Sequence, residues 1–291
     1  MPMLDRVDLK RSLKKSAYQA QIEPLTLRLR SLQQECRDAN LPVVVVLEGW
    51  AAAGKGKIVQ HMLQHIDPRG FIVHPILAPT PRERRYPWLW RFWQTLPGRG
   101  QMGIYYHSWY THLLEDRLFQ RISDTQFPAI AQEVIDFEKA LVDDGAIVTK
   151  FFIHMGLKEL TKRLKAYEDD PFEAWRVRPE DWQQAKNYEE YQAIADTTLD
   201  KTHTADVPWT LVAGDDKRWA RIQVLTTMVE VLSQALARRA TPSPPPSAPT
   251  TPPPPPPAPS DDTNSLGVGV GGGGGGLVFI FKRNAPNNTP P

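Results

Sequence analysis

A run of β-branched residues, followed by a glycine-containing loop and an amphipathic helix, constrains the fold of this chain more than any other feature. Pro42 precedes Val-Val-Val-Val-Leu at residues 43–47, and such an uninterrupted apolar run is typical of a strand buried on both faces of a parallel sheet. The loop Gly-Trp-Ala-Ala-Ala-Gly-Lys-Gly follows at residues 49–56, and apolar residues then recur at helical spacing between Ile58 and Ile66. This order predicts the first half of a β–α–β unit.

Strands and helices are predicted to alternate along the rest of the chain. Further apolar runs predict strands at residues 71–76, 102–106, 146–154 and 209–212. Helices are expected at residues 18–39, 111–122, 126–143, 157–168, 189–203 and 218–238. This alternation favours the α/β class, and we predict a three-layer sandwich with a central parallel sheet.

Composition divides the chain into three parts. Residues 1–40 are expected to form an N-terminal helical segment, whose apolar stripe packs on the body or, alternatively, forms a dimer seam. Residues 41–240 are predicted to be the main domain. Residues 241–291 contain 15 of the 28 prolines and 8 of the 18 glycines. This composition predicts a disordered tail, because it cannot bury enough apolar surface to offset the entropy of ordering.

Charge and cysteine content exclude several classes of protein. The 35 basic and 33 acidic side chains leave a net charge of +2, which argues against a chain that acts mainly as a polycation on nucleic acid. Cys36 is the only cysteine, so an internal disulfide and a cysteine-based metal site are both excluded. Early charged residues and the lack of a long apolar run predict a cytoplasmic protein with no membrane partner.

The spacing Gly49-x4-Gly54-Lys55 is that of a phosphate-binding loop. Glycines let backbone N–H groups converge on phosphate oxygens, the helix N-terminus adds positive potential, and the lysine reaches the outer phosphates. A tight glycine corner without a ligand is the alternative, and the ammonium group of Lys55 argues against it. The phosphate contacts predicted within the loop are Gly49, Ala52, Ala53, Gly54, Lys55, Gly56 and Lys57.

Two positions depart from the usual phosphate-binding loop and its metal ligands. Gly56 stands where a hydroxyl residue normally binds magnesium. The strand predicted at residues 102–106 ends in Tyr106 and contains no acidic residue. In P-loop enzymes the equivalent strand, called Walker B, ends in an aspartate that holds Mg²⁺. The sequence therefore predicts a phosphate site with few ligands for a metal.

Motifs on both sides of the loop resemble those of the polyphosphate kinase 2 family, in the right order from Leu13 to Leu236. The segments around residues 90–93 and 103–110 are most similar to the divergent half of the two-domain polyphosphate:AMP phosphotransferases. The motifs are Glu-Gly-Trp-Ala-Ala-Ala-Gly-Lys-Gly at 48–56, Asp-Pro-Arg-Gly at 67–70, Pro-Thr at 79–80 with Glu83, Trp-Arg-Phe-Trp at 90–93 with Leu-Pro at 96–97, Ser-Trp-Tyr at 108–110, Phe-Glu at 137–138 with Leu141 and Gly145, Lys-Phe-Phe at 150–152, Asp-Pro at 170–171, Pro-Trp at 208–209, and Asp-Lys at 216–217 with Ala-Arg at 220–221.

This resemblance implies a P-loop kinase-like fold with a helical lid at about residues 155–190. It also implies an enzyme that moves phosphoryl groups between polyphosphate and a nucleoside mono- or diphosphate. Polyphosphate and nucleotide are then the expected partners, a homo-oligomer or an active paralogue is a further candidate, and Mg²⁺ is the expected cofactor. Some of the lid cations are expected to reach the phosphates when the lid closes; the candidates are Arg163, Lys165, Arg176 and Arg178.

The resemblance also carries cationic site residues over to matching positions of this chain. Arg69 and Lys150 are expected to bind phosphate. The residues expected to be catalytic are Lys55, Arg117, Lys217 and Arg221.

The acidic positions of the family differ here. Ala51 stands where the family's loop has aspartate, Tyr106 stands at its second metal-binding aspartate, and Asp116, at a family glutamate position, is the remaining candidate metal ligand. These replacements keep a second function open, a pseudoenzyme that binds polyphosphate or nucleotide. A third function, an ATP-dependent nucleoside monophosphate kinase, is disfavoured by Gly56 and by the family motifs. The sequence favours the polyphosphate-dependent phosphotransferase.

Overall fold

The computed structural model describes residues 2–240, so the tail predicted at residues 241–291 lies outside the described residues. Within the described part, five parallel strands form one sheet in the order β2-β3-β1-β4-β5. The strands are β1 (Val43–Gly49), β2 (Phe71–Pro75), β3 (Met102–Tyr106), β4 (Ile147–His154) and β5 (Trp209–Ala213). All strands predicted from the sequence are therefore confirmed.

Helices cover both faces of this sheet and complete the predicted three-layer α/β sandwich. The helices are α1 (Lys15–Asp38), α2 (Lys55–Leu63), α3 (Trp90–Trp93), α4 (Thr111–Leu118), α5 (Phe127–Asp143), α6 (Leu157–Glu168), α7 (Pro179–Lys186), α8 (Tyr188–Thr202) and α9 (Lys217–Ala240). On one face α1 packs along α9, which contacts β4 and β5. On the other face α4, α5 and α8 pack against one another, and α5 contacts β4.

The strand register brings three carboxyl ends of the sheet together. Leu47 of β1 pairs with Tyr106 of β3, and Gly49 at the end of β1 pairs with Ile153 of β4. Ligands of open parallel sheets bind in the crevice outside these carboxyl ends. The loop that leaves β1 therefore begins where the fold most readily forms a binding crevice.

The N-terminal helix packs on the body as predicted. Leu29, Leu32 and Cys36 form the buried face of α1, which lies along α9. Burial raises the pKa of the Cys36 thiol to about 11, so this thiol stays protonated at neutral pH and is a core residue. The dimer seam considered for the same stripe has no support from this packing.

Two short helices, α3 and α7, were not predicted from the sequence, and one predicted helix is shorter than expected. Instead of extending over residues 111–122, α4 ends at Leu118. Gln120 then adopts a left-handed conformation with φ of 55°, which is incompatible with a continuing helix. The two missed helices have only four and eight residues, too few to show a clear apolar period.

Candidate active site

The loop between β1 and α2 folds into a cradle of backbone N–H groups. Ala52 and Gly54 adopt left-handed conformations with φ of 51° and 93°, and the Gly54 carbonyl accepts hydrogen bonds from the N–H groups of Lys57 and Ile58. Such a turn at the start of a helix directs N–H groups and the positive end of the helix dipole toward one point. This geometry suits a phosphate group.

Gly49 is required by the close approach of β4 to the loop. Its φ of 126° belongs to the region that favours glycine, and a Cβ atom at this position would lie 2.3 Å from the Ile153 carbonyl oxygen. Trp50, the next residue, is fully buried, stacks on Tyr188 and donates its indole N–H to His154 Nδ1 at 3.0 Å. The start of the loop is thus fixed by packing on both sides.

Lys55 lies within the cradle and has no carboxylate partner. Its side chain is 3% exposed, and Nζ donates to the carbonyl oxygens of Gly49 and Trp50 at 2.7 and 2.9 Å. The Tyr106 ring lies 5.9 Å from Nζ, and no ion pair joins Lys55 to any residue within 2–240. Burial lowers the pKa of Lys55, and the more distant Glu48 carboxylate partly opposes this effect. An anion in the cradle would supply the missing negative charge.

A cavity of about 350 Å³ opens between this loop and the lid. The ends of β2 and β3 line one part of it, together with residues 51–57 of the loop and the start of α2. The lid contributes aromatic and charged side chains from α6, α7 and the segment between them. The lining residues from the lid are Leu164, Tyr167, Trp175, Arg176, Arg178, Asp181 and Gln184.

The lid is closed onto the loop through polar contacts. Gln184 of α7 accepts a hydrogen bond from the Ala51 N–H at 2.7 Å, and Lys57 lies 3.6 Å from the carboxylate of Glu173 in the lid. The other oxygen of that carboxylate contacts Arg176. Lid groups therefore bind the N–H group of Ala51 in the loop and the cation of Lys57 in α2, in positions that a phosphate chain would need.

Arg163, one of the predicted lid cations, has a structural role instead. It is buried, and its guanidinium donates to the carbonyl oxygens of Ala52 at 3.4 Å, Gly214 at 3.0 Å and Asp215 at 2.5 Å. These bonds connect the loop, α6 and the segment after β5. Arg176 and Arg178 line the cavity and Lys165 does not, so a phosphate contact of the lid cations stays a prediction.

Three carboxylates lie near Lys55, and all three are engaged by other groups. Glu48 is 1% exposed and accepts the Ser108 hydroxyl at 2.7 Å, with His107 Nδ1 at 3.4 Å. Glu115 lies 3.8 Å from the same His107 nitrogen and 3.9 Å from Arg178. Asp181 lies 3.2 Å from the Arg178 guanidinium and also accepts the Arg178 backbone N–H at 3.0 Å, where it caps α7.

The residues at the two expected metal positions do not fit a divalent cation. Mg²⁺ needs oxygen ligands, which carboxylates usually supply, whereas Ala51 has none. Burial raises the pKa of Tyr106 above its ordinary value, so its hydroxyl is neutral at physiological pH. No group of three or more His, Cys, Asp or Glu side chains within residues 2–240 could hold a metal ion.

The structure brings the predicted loop residues together, because Ala52, Ala53, Gly54, Lys55, Gly56 and Lys57 all line the cavity. Gly49 lies directly behind them as an acceptor for Lys55. Lys217 lies at the start of α9. Burial lowers the pKa of Lys217, and the nearby positive charges of Arg163 and Lys57 lower it further. It is therefore close to the loop without lining the cavity.

Lys150 is the clearest departure from the predicted site. Its side chain is fully buried, and Nζ donates to Glu138 at 2.7 Å, to the Tyr110 hydroxyl at 2.8 Å and to the Thr202 carbonyl at 2.9 Å. This side chain points into the layer of α4, α5 and α8, where every proton of the ammonium group has an acceptor. The arrangement corrects the expected phosphate contact and assigns Lys150 to the core.

Three other predicted cations are also directed away from the cavity. Arg69 is exposed and pairs with Asp67 at 2.7 Å. Arg117 donates to Asp124 at 2.8 Å and lies over the Phe127 ring. Arg221 contacts the Tyr18 hydroxyl of α1. None of the three lines the cavity, so a phosphate contact of these side chains stays a prediction.

Asp116, the remaining candidate metal ligand, faces away from the loop as well. It accepts a hydrogen bond from Arg121 at 2.8 Å and lies 2.7 Å from His112 Nδ1. Its neighbour Glu115 lines the cavity instead, because successive residues of a helix point about 100° apart. A metal contact of Asp116 therefore stays a prediction.

Sequence reasoning missed the lid residues that contact the loop, Glu173 and Gln184. Neither belongs to a phosphate-binding motif, and both come from segments more than 110 residues after the loop. A partial signal existed for Glu173, since an acidic residue lies three positions before Arg176 within a segment expected to be cationic. Nothing in the local sequence indicates that Gln184 faces Ala51.

Comparisons with known proteins agree with this fold. Residues 12–240 match the family model described as polyphosphate kinase 2. A polyphosphate:AMP phosphotransferase of Pseudomonas syringae pv. tomato is 36% identical over 81% of this chain and 47% of its own length. An NDP-polyphosphate phosphotransferase 3 of Ruegeria pomeroyi is 32% identical over 73% of this chain and 70% of its own length.

Solved structures show the same relationship. The crystal structure of a putative polyphosphate kinase 2 from Pseudomonas aeruginosa superposes with a TM-score of 0.78 at 35% identity, over 81% of this chain and 51% of that one. A polyphosphate kinase 2 from Arthrobacter aurescens gives 0.76 at 26% identity, over 79% and 85%. The chain spans about half the length of the first relatives that it matches. By sequence and by fold, this chain belongs to the polyphosphate kinase 2 family.

Proposed function

We propose that this chain transfers phosphoryl groups between polyphosphate and a nucleoside mono- or diphosphate. The observation that carries the proposal is the phosphate-binding loop, whose N–H groups and buried Lys55 converge on a cavity closed by a cationic lid. Relatives named as polyphosphate:AMP, GDP-polyphosphate and NDP-polyphosphate phosphotransferases support this reaction class. The likeness to the divergent half of two-domain enzymes stays a prediction.

Phosphoryl transfer depends on positioning and on stabilisation of negative charge, with little covalent work for the protein. The loop N–H groups and Lys55 are placed to bind the phosphate nearest α2. Arg176 and Arg178 on the lid side would neutralise the rest of the chain. Trp175 and Tyr167 offer aromatic surfaces at the same cavity, which suit the base of a nucleotide.

Other parts of the proposal rest on the family resemblance. Catalytic contributions of Lys217, Arg117 and Arg221 require the bound state to bring these side chains to the phosphates. The resemblance implies Mg²⁺, but Ala51 and Tyr106 do not fit it, so no role in the transfer is derived for the metal. Within residues 2–240 no helix is long and apolar enough to cross a membrane. A cytoplasmic location and a homo-oligomer or an active paralogue as partner stay predictions.

A transfer assay tests this function directly. The full chain is incubated with polyphosphate and with AMP, ADP or GDP in turn, with and without Mg²⁺, and the nucleotide products are separated by chromatography. We expect a product that is longer by one phosphate with at least one nucleotide, and we expect Lys55→Met to abolish it. A folded wild-type protein that produces no such product with any nucleotide would refute the proposal.

A further inference from the structure

We propose that this site takes polyphosphate as the free anion, with side chains in place of a divalent cation as the counter-charge. The inference rests on the proposed function and specifies the form of its phosphate ligand. It follows from three features of the described residues: the missing oxygen donors, the engagement of the carboxylates nearby, and an excess of cations over carboxylates among Lys55, Lys57, Arg176 and Glu173.

The donor set beside the loop is too poor for a metal-bridged phosphate. Ala51 supplies no oxygen from its side chain, and its N–H is bound by Gln184. Tyr106 turns its ring toward Lys55, and a Cβ atom at Gly56 would lie 3.6 Å from its Cε2 atom. A phenol ring therefore fills the space beside the lysine where a carboxylate would hold a hydrated cation.

The remaining acids are held by groups that would have to be released first. Glu48 is buried under Ser108 and His107. Glu115 and Asp181 share the guanidinium of Arg178, and Asp181 also caps α7. Recruiting any of them to a metal would break these contacts and leave a buried polar group or a cation unpaired, which costs stability.

The cations at the cavity are placed to do the work of a metal. Lys55 has only carbonyl acceptors. Lys57 and Arg176 share a single carboxylate, that of Glu173. A phosphate chain that displaces Glu173 would thus meet three cations from two sides of the cavity, and each contact would be charge-assisted.

Magnesium in solution should then compete with the protein for the ligand. Mg²⁺ binds the same phosphate oxygens, lowers the charge of the chain and keeps part of its hydration shell. A site that provides its own cations gains nothing from this exchange. Affinity should therefore be the same or lower when Mg²⁺ is present.

Calorimetric titration of the full chain with tripolyphosphate tests the proposal. The titration is run in EDTA and in excess Mg²⁺, at ionic strength matched with KCl. For the wild type we expect equal affinity or a loss of up to about tenfold in Mg²⁺. Affinity that rises tenfold or more on addition of Mg²⁺ would overturn the inference while leaving the proposed function in place. No binding in either buffer would refute the proposed function.

A carboxylate restored to the loop should reverse this preference. In Ala51→Asp we expect binding in EDTA to weaken by about tenfold, because the new charge faces the phosphates, and Mg²⁺ to recover the loss. Ala20→Asp, at an exposed position of α1, adds the same charge far from the loop and should behave as the wild type. An Ala51→Asp protein that folds, as judged by circular dichroism, and whose affinity for tripolyphosphate does not change with Mg²⁺ would contradict the proposal. If Ala51→Asp does not fold, the comparison of the wild type in EDTA and in Mg²⁺ decides.

Discussion

Two buried lysines in this molecule face very different surroundings. Lys150 lies in the core with a carboxylate, a hydroxyl and a carbonyl around its ammonium group. Lys55 lies at the loop, 3% exposed, with two carbonyl oxygens and no carboxylate. Burial lowers the pKa of both, while the attraction of Glu138 opposes this for Lys150 at contact distance. The charge of Lys150 is balanced by a carboxylate within the fold, whereas no carboxylate contacts Lys55.

The difference separates structural from functional charge without reference to motifs. Removing one partner of a buried ion pair destabilises the protein, since the other charge is left without compensation. A buried cation that has only dipolar acceptors lowers stability in the free protein, and it regains that energy when an anion binds. Substitutions at the two positions should therefore separate into effects on folding and effects on ligand affinity.

The largest effect is expected for Lys150→Met. This change keeps the volume of the side chain and leaves the Glu138 carboxylate buried without a cation. We expect the free energy of unfolding to fall by about 3–5 kcal/mol, measured by urea denaturation. The double variant with Glu138→Gln should recover at least about 1 kcal/mol of this loss, because the amide is neutral and can still accept from Trp109 and Tyr110.

The opposite result at Lys150 would break the comparison. A Lys150→Met protein that unfolds at the wild-type urea concentration and has lost phosphate affinity would return this residue to the site predicted from the sequence.

The matched change Lys55→Met should alter the free energy of unfolding by less than about 1 kcal/mol in either direction. It removes two hydrogen bonds and, with them, an uncompensated buried charge.

A third buried base, His154, shows what happens when burial outweighs the attraction of a carboxylate, that of Asp5, and the group can lose its proton. Burial lowers the pKa of His154 to about 4, and its Nδ1 accepts the Trp50 indole N–H. The folded pKa lies below the unfolded value of about 6.5, so the unfolded chain binds the proton first as pH falls. The free energy of unfolding should decrease by about 3 kcal/mol between pH 6.5 and pH 4 and stay level above that range.

The measurement needs a background in which His154 acts alone. Burial also lowers the pKa of His61, to about 4, and that of His74. Both would add their own slopes, so the urea midpoints are compared in a background that carries His61→Gln and His74→Gln. Adding His154→Asn, whose amide oxygen can still accept from Trp50, should flatten most of the remaining acid dependence. An unchanged slope after this addition would place the acid sensitivity elsewhere in the fold.

Most of the fold could be predicted from the sequence because it depends on periodic patterns. The strand at residues 43–47 is a continuous apolar run, and the strand at residues 146–154 is rich in β-branched and aromatic residues. The helix that contains Glu138 has an apolar face of Val134, Phe137 and Leu141. The ion pair was predictable in principle from the same pattern. An acid within that apolar face, followed by Lys150 within a buried strand, calls for a buried partner.

The site could be predicted only as far as its motif extends. The loop from Gly49 to Gly56 is local, so its conformation and cavity followed from spacing and turn chemistry. The lid contacts of Glu173 and Gln184 depend on how α6 and α7 fold back over the loop, which single-sequence patterns do not encode. Family correspondence failed for Lys150 because a matching residue type says nothing of which side of a strand it faces.

The next prediction concerns the affinity of the loop lysine for its ligand. Lys55→Met should weaken tripolyphosphate binding by about 1–3 kcal/mol, roughly fivefold to 150-fold, because a charge-assisted contact is lost. Lys158→Met, at an exposed position of α6, changes the net charge equally and should retain wild-type affinity. If calorimetry gave the same affinity for both variants, the loop would be a structural corner and the contrast with Lys150 would fail.

The smallest effect is expected at Glu173, the lid carboxylate that stands in for a phosphate on Lys57. Glu173→Gln removes the negative charge from an ion pair that is partly exposed. The loss of this charge should change the free energy of tripolyphosphate binding by less than about 1 kcal/mol. We expect tripolyphosphate to bind about two- to fivefold more tightly, since it no longer competes with a carboxylate. Asp169→Asn, an exposed acid of the same lid, should leave affinity unchanged.

The test of this internal competition is whether the gain depends on Lys57 and on the lid. In a Lys57→Met background the carboxylate has lost one of its two cations, so Glu173→Gln should gain less than it does alone, a coupling that a double-mutant cycle measures. In the ligand-free protein, Glu173→Gln should also speed hydrogen exchange in α7, because one of the contacts that hold the lid closed is gone. If Glu173→Gln tightens tripolyphosphate binding by the same factor with and without Lys57→Met, Glu173 acts through long-range charge and not through its contact with Lys57. Equal or weaker binding, with exchange unchanged, would show that the closed lid is held by Gln184 and by packing, and that phosphate enters without displacing an acid.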